Sequence, residues 1–538
     1  MMDVVSSPFP SVDIPDVDLW SFLFERADRP YPADKALFTA ADTERCLTYT
    51  QVRQRALTFG HSLCRKWDWQ KGDVLVVFAD NSIDVPPIVW GTLAIGGVVC
   101  PVNPNYRAEE LLHPLQDTKA RALVTQRARA PVAFEAAKRA NIPRDRVLVL
   151  EELTENDFDD GRMNGPHSAP IDRPAEDLAF LVYSSGTTGL PKAVMLSHRN
   201  MIANLLQTAS VDNGVLAWNG GLHGEGDSTL ALLPFFHIYG ITYLLNHTVY
   251  LGLSTFVMPR FQFDTFCATI QKHRITYAYV VPPIILELVS NPRITEYDLS
   301  SLRMMLSAAA PLAVELIQTL HQKLKLSVRQ AYGMSECAPC THMQTWNETH
   351  THLGSVGRLL SNMTAKYAQV EGETGRSKEL WVKGPNVFLG YLNNPKADSE
   401  SFSGDGHYKT GDVGYEDENG YFYITDRVKE LIKYNGFQVA PAELEAIALG
   451  HPAIADVAVT GIKDGQLGTE LPRAYVVVAP GYEGNQSMAD AISQYVSDQV
   501  INYKRLRGGV RFVQAIPRNP SGKILRRELK KLDRMAKL

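Results

Sequence analysis

The chain has 538 residues, of which 45% are hydrophobic and 21% charged, with a formal net charge of −5. Such a length exceeds one compact core and predicts roughly two to four domains, while the composition excludes a disordered or fibrous chain. Acidic and basic residues are dispersed, with no basic stripe of the kind that binds nucleic acid, and six scattered cysteines are too few for a disulfide scaffold.

Residues 1–10 lack the basic region and apolar stretch of a secretory signal. Apolar, β-branched runs predict strands over 74–78, 122–125, 178–182 and 276–281. Helical patterns alternate with them, so the expected fold class is α/β, with layered and largely parallel sheets. The uncharged run 85–102 reaches the minimum length of a membrane span, but three prolines and three glycines divide it. It reads as a buried helix followed by a buried strand over 97–101, and no transmembrane segment is expected. Polar stretches at 151–173 and 212–227 read as surface loops. Cys337 and Cys340 form a C-x-x-C, but no second pair completes a zinc site. A turn-rich hairpin over 415–420 leads into a strand over 421–425, after which the pattern restarts. A helix is expected over 441–449, strands over 454–459 and 473–478, and a helix over 488–503. The expected division is a large N-terminal domain, 1–425, and a small mobile α+β lid, 426–538.

The sharpest local signal is Leu181-Val-Tyr-Ser-Ser-Gly-Thr-Thr-Gly-Leu-Pro-Lys192. An apolar strand runs into a loop of two glycines and four hydroxyl side chains that ends in lysine. Hydroxyls and free backbone N–H groups converging there suit phosphate oxygens, with the lysine as countercharge. It is not a Walker A loop, because Pro191 stands where that motif requires glycine.

This loop resembles the signature of the acyl-adenylate-forming (AMP-binding) superfamily, which includes acyl-CoA synthetases, 4-coumarate:CoA ligases, beetle luciferases and peptide-synthetase adenylation domains. Further matching segments follow in order: Leu233-Pro-Phe-Phe-His-Ile-Tyr-Gly240, Ser307-Ala-Ala-Ala-Pro311, Gln330-Ala-Tyr-Gly-Met-Ser-Glu336 and Glu379-Leu-Trp-Val-Lys-Gly-Pro385. Then come Tyr408-Lys-Thr-Gly-Asp412, Asp426-Arg-Val-Lys-Glu-Leu-Ile-Lys-Tyr-Asn-Gly-Phe-Gln-Val439 and Asn519-Pro-Ser-Gly-Lys-Ile-Leu525.

The resemblance implies a carboxylic acid:CoA ligase that uses ATP, Mg²⁺ and CoA. Ser184, Ser185, Gly186, Thr187, Thr188, Gly189 and Lys192 would hold ATP phosphates, and Glu336 would help hold the metal. Ala309, Gln330, Ala331, Tyr332, Gly333 and Ser335 would be further nucleotide contacts, with Tyr332 stacked on the adenine. Asp412 and Arg427 would take the ribose; by itself, Asp412 reads as a solvated turn residue or a cap. Lys523 would stabilise charge as the acid attacks the α-phosphate. Lys433, elsewhere on the lid, would serve thiol transfer after the lid rotates about Lys429. His237 would gate the acid, although a lone histidine among apolar residues is usually a core residue. Arg260 and Gly436 are the weaker candidates for CoA contacts.

By the same resemblance the acyl pocket comprises Ile238, Tyr239, Thr242, Tyr279, Leu306, Ala308, Ala331, Gly333, Pro339 and Cys340. Leu306 stands where coumarate ligases commonly carry lysine, and Ala308 where they carry glycine. These departures favour an aliphatic or unsubstituted aryl acid with an apolar end. Asn435, in place of a lysine near the thiol tunnel, would weaken a CoA phosphate contact. An amino-acid substrate is disfavoured, since no carboxylate stands near His237 to hold an ammonium. A luciferase-like oxygenase, a carrier-protein acyl-AMP ligase and a non-catalytic nucleotide-binding paralogue remain as alternatives. The ending Ala536-Lys537-Leu538 resembles the S-K-L address and predicts recognition by the peroxisomal import receptor and a place in the peroxisome matrix.

Overall fold

The computed structural model describes residues 3–153, 173–184, 191–221, 224–370, 377–434, 437–463, 469–520 and 522–535. Among these residues the strands form sheets of nine, six, five, three and two strands. The six-stranded sheet runs Val147–Val149, Ala122–Thr125, Val74–Phe78, Val98–Pro101, Leu178–Ser184 and Lys192–Ser197. Its first five strands are parallel and the last is antiparallel. Every residue of Val74–Phe78 is buried, as a strand covered on both faces requires. The nine-stranded sheet carries Met304–Ser307 and Tyr277–Val280 at its centre, with Val328–Gly333 beside them. One apolar core joins these two sheets.

The run 85–102 behaves as its glycines and prolines suggest. It forms the helix Val85–Ala94, all ten residues buried, and then the strand Val98–Pro101. A helix apolar on every side belongs inside a large core. It crosses the helix Tyr49–Trp67 at two glycines: a β-carbon on Gly60 would lie 2.5 Å from the Gly91 carbonyl, and one on Gly91 would lie 2.3 Å from that of Ala56. No helix among the described residues is long and apolar enough to cross a membrane.

Beyond the helix that ends at Asp212, the described residues of the stretch 212–227 form a mostly exposed or half-buried loop, as expected, anchored by buried carboxylates at both ends. Asp212 closes the helix His198–Asp212 and pairs with the fully buried Arg329, while Asp227 accepts from Arg303 at 2.8 Å and from Thr276 at 2.7 Å. The helix expected over 488–503 spans Gln486–Ser497 instead, because the apolar residues beyond it face elsewhere. Ile501 is 61% exposed, and Tyr503 stacks on Phe437 at 4.6 Å. Most of the loop expected at 151–173 lies outside the described residues.

The hairpin of Tyr408–Glu416 and Phe422–Arg427 closes the five-stranded sheet. A separate core starts at Ile432, where the helix Pro441–Leu449 packs on the antiparallel pair Ile454–Lys463 and Glu470–Val478. This is the small α+β lid beside the large α/β body.

Candidate active site

Where the body meets the lid, a cleft of about 810 Å³ is lined from both sides. The body contributes Ala309, Gln330, Ala331, Tyr332, Gly333 and Asp412; Arg427 lies at the seam and Lys523 comes from the lid. Register explains the polar centre. Asp412 and Arg427 are cross-strand partners, which brings the Arg427 Nε to 2.7 Å from Asp412 Oδ1. The Tyr332 hydroxyl donates to the other oxygen, Oδ2, at 2.6 Å. Asp412 is therefore a buried, doubly engaged carboxylate and not a solvated turn residue. It holds the Arg427 guanidinium well above its usual range. Burial, followed by the Asp412 charge, pushes the Tyr332 phenol up and keeps it a donor.

The wall around Tyr332 depends on particular backbones. A β-carbon on Gly333 would lie 2.0 Å from the Pro339 carbonyl, so only glycine fits. Ala309 holds φ at 71°, an unusual conformation for a non-glycine residue. Gln330 is buried and fixed by its amide, which donates to the Ser355 carbonyl at 3.1 Å.

Lys523 is presented by a tight turn. Its N–H donates to Asn519 Oδ1 at 2.8 Å, Gly522 sits at φ 83°, and Arg518 donates to the Gly522 carbonyl at 3.1 Å. Arg518 is itself anchored on Asp456 at 2.8 and 3.1 Å. Burial lowers the Lys523 ammonium, as does Arg427, while Glu430, Asp412 and Glu336 oppose the shift. One ammonium thus feels both Asp412 and Glu336.

Glu336 lies in the short turn Ser335–Cys337, buried along with Ser335. Its Oε1 accepts from the Tyr391 hydroxyl at 2.8 Å, and the Lys192 ammonium stands 4.9 Å from the centre of the same ring. Tyr391 thereby links two expected phosphate-site residues, and sequence reasoning missed it; the Gly390-Tyr391 pair just beyond the 379–385 segment was the available signal. Ser184 and Lys192 are register partners on antiparallel strands, so both ends of the glycine-rich loop meet. Ser185, Gly186, Thr187, Thr188 and Gly189 lie outside the described residues.

The acyl-side residues are packed behind this cleft. Ile238, Tyr239, Thr242, Tyr279, Leu306, Pro339 and Cys340 are buried and do not line it; Ala331 and Gly333 do, and Ala308 is half-buried. Tyr239 donates to the Leu306 carbonyl at 2.9 Å, and Thr242 to that of Ala338 at 2.9 Å. His237 accepts the Tyr239 N–H on Nδ1 at 3.3 Å, which leaves its proton on Nε2. Burial pulls the imidazole down to about 4, so it is neutral at pH 7.

Other expected residues stay apart. Lys433 is exposed on the hairpin Ile432–Tyr434 and Phe437–Val439, where its N–H donates to Glu470 at 3.1 Å and its carbonyl accepts from Thr469 at 2.8 Å. Arg260 and Lys429 are exposed and line no part of the cleft. Gly436, Asn435 and the ending Ala536-Lys537-Leu538 lie outside the described residues.

Comparison with known proteins agrees with this geometry. Residues 24–392 match the family model described as AMP-binding enzyme, and residues 443–523 match AMP-binding enzyme C-terminal domain. The chain is 38% identical over 490 residues to "Probable 4-coumarate--CoA ligase 1" of Dictyostelium discoideum, covering 86% of each chain. It superposes on ATP-bound MatB from Rhodopseudomonas palustris with a TM-score of 0.83 at 27% identity, covering 96% of this chain and 99% of that one. Against apo MatB the TM-score is 0.73 over the same shares at the same identity, so the present pose is nearer the ATP-bound form. The chain belongs to the AMP-binding enzyme family, among its acyl-CoA synthetase and 4-coumarate:CoA ligase-like members.

Proposed function

We propose that this AMP-forming acid–thiol ligase joins a carboxylic acid with an apolar end, aliphatic or aryl, to CoA. The observation that carries this reading is the meeting of Asp412, Arg427, Tyr332 and Lys523 in one cleft. In the first step a carboxylate oxygen of the acid bonds to the α-phosphorus of ATP, and the bond to pyrophosphate breaks. Asp412 accepts from the ribose hydroxyls, and the Lys523 ammonium meets the negative charge gathering between acid and phosphate. In the second step the thiol sulfur bonds to the acyl carbon, AMP departs and the thiol proton is released. The exposed Lys433 reaches that reaction once the lid, the part of the chain beyond Lys429, turns about that residue.

Glu336 suits Mg²⁺: a hard cation that binds nucleotide phosphates needs only one or two protein carboxylates, and Tyr391 orients this one. When bound, the ion neutralises pyrophosphate charge. Neutral His237 offers an Nε2–H at the mouth of an apolar acyl end formed by Ile238 and Leu306. The departures at Leu306 and Ala308 support an acid without a phenolic hydroxyl.

A pyrophosphate-release screen over aliphatic and aryl acids, with ATP and Mg²⁺, with and without CoA, tests the reading. CoA-dependent turnover that Lys523→Ala loses is the expected outcome. Acyl-AMP without CoA transfer would favour a carrier-protein acceptor, and light with a luciferin the oxygenase. ATP binding without turnover of any acid would favour the non-catalytic paralogue. We further propose residence in the peroxisome matrix through Ala536-Lys537-Leu538. A fluorescent fusion should lose punctate import when those three residues are deleted, and import that survives the deletion would refute the address.

A further inference from the structure

The seam between body and lid holds one carboxylate that neither half-reaction uses. Asp426 lies on the last body strand, Phe422–Arg427, and is buried. Its Oδ2 accepts the N–H of Ala442 at 3.1 Å, in the first turn of the lid helix Pro441–Leu449. Its oxygen satisfies an N–H that has no partner within the helix. Asp426 also faces Arg526, which is tied to Glu430 at 3.0 Å and to both oxygens of Glu445. Arg526 follows Lys523 by three residues and opens the last helix, so whatever fixes it also fixes the Lys523 turn.

Buried ion pairs are a poor source of net stability, and their value lies in specifying one arrangement over others. Here the contacts differ in kind. Arg526, Glu430 and Glu445 all lie beyond Lys429 and move together, whereas the Asp426–Ala442 bond spans that position. A turn about Lys429 breaks this bond and leaves the others intact. We propose that Asp426 is a positioning residue for the adenylation half-reaction, a latch that holds the lid so that Lys523 points into the nucleotide cleft and that must part before thiol transfer. The proposal rests on the ligase reading.

The test separates the two half-reactions of the full-length protein. Acyl-AMP formation is followed with ATP, Mg²⁺ and acid, and acyl transfer with supplied acyl-AMP and CoA. Asp426→Ala should slow acyl-AMP formation about tenfold or more, the equivalent of one strong hydrogen bond lost from a transition state, and leave acyl transfer within about twofold. Asp426→Asn keeps an acceptor for the Ala442 N–H, as the protonated carboxyl does, and should retain most of the wild-type rate. Equal losses in both half-reactions, or no loss in either, would overturn the latch. Labelling of Lys523 by an amine-directed reagent, read by mass spectrometry, should quicken several-fold in Asp426→Ala; unchanged labelling also overturns it. That second readout holds even if the wild-type protein forms no acyl-AMP, a result that would instead defeat the ligase reading.

Discussion

Two lysines of one small domain have opposite fates. Lys523 is half-buried in the cleft between body and lid, its ammonium lowered by burial and by Arg427 and opposed by Glu430, Asp412 and Glu336. Lys433 stands in solvent on a hairpin of the same domain, and among the described residues its hydrogen bonds run through its backbone. A rigid lid with its own core presents one face at a time, so a single pose serves a single lysine. On the proposed ligase reading, the difference assigns the two half-reactions to two poses of one lid and not to two sites on the body.

The largest expected effect tests the half-buried lysine. Lys523→Ala should reduce acyl-AMP formation about 10²–10³-fold, the usual loss when a group stabilising transition-state charge is removed. Acyl transfer from supplied acyl-AMP should survive, and parallel loss of both would break the comparison. The exposed lysine should show the converse at smaller scale. Lys433→Ala is expected to cost about tenfold to a hundredfold in acyl transfer, while pyrophosphate release in the absence of CoA persists. Single-turnover assays with each substrate pair would distinguish the two.

A pH series sharpens the comparison further. Burial raises the Asp426 carboxyl to about 7, against Arg526 and the N–H groups of Ala442 and Arg427, which favour the charged form; Glu445 opposes them. An aspartate in solvent titrates near 3.8. Because the latched pKa is the raised one, protonation favours the latched pose. Its contribution is full below about 3.8 and is lost as pH rises towards 7. The ratio of acyl transfer to acyl-AMP formation should therefore climb as pH rises towards 7 and level off above it. Asp426→Asn, which cannot ionise, should flatten the climb.

Much of this arrangement was legible in the sequence, and what was not has identifiable causes. Strands such as Val74–Phe78 were visible because burial on both faces forces an unbroken apolar run. Asp412, Arg427 and Lys523 were visible as motif positions, although by itself Asp412 looked like a turn residue. Only the register that pairs it with Arg427, and Tyr332 arriving from a strand 80 residues away, reveal its burial. The Asp212–Arg329 pair escaped for the same reason: its partners stand 117 residues apart, and Asp212 sits where local polarity marks the start of a loop. The overextended helix at 488–503 kept its apolar spacing while its backbone had already turned at Ser497. The closed packing of Tyr239 and Leu306 is a tertiary fact that no local pattern encodes.

The smallest expected effect asks whether lid pose or lid stability governs the two lysines. Thr460 lies in the lid strand Ile454–Lys463, on the face that packs Ala458 near Leu529, and its buried hydroxyl has no hydrogen-bond partner among the described residues. An unpaired buried hydroxyl costs stability, so Thr460→Val should stabilise the lid by about 1 kcal/mol, measurable as a shift in its denaturant midpoint. It touches neither lysine and leaves the Asp426 latch in place. If pose decides which half-reaction proceeds, the ratio of acyl transfer to acyl-AMP formation will not move in this variant. A ratio that shifts with lid stability alone would mean that Lys433 gains access by local loosening of the lid, and the separation of the two faces by rotation would have to be abandoned.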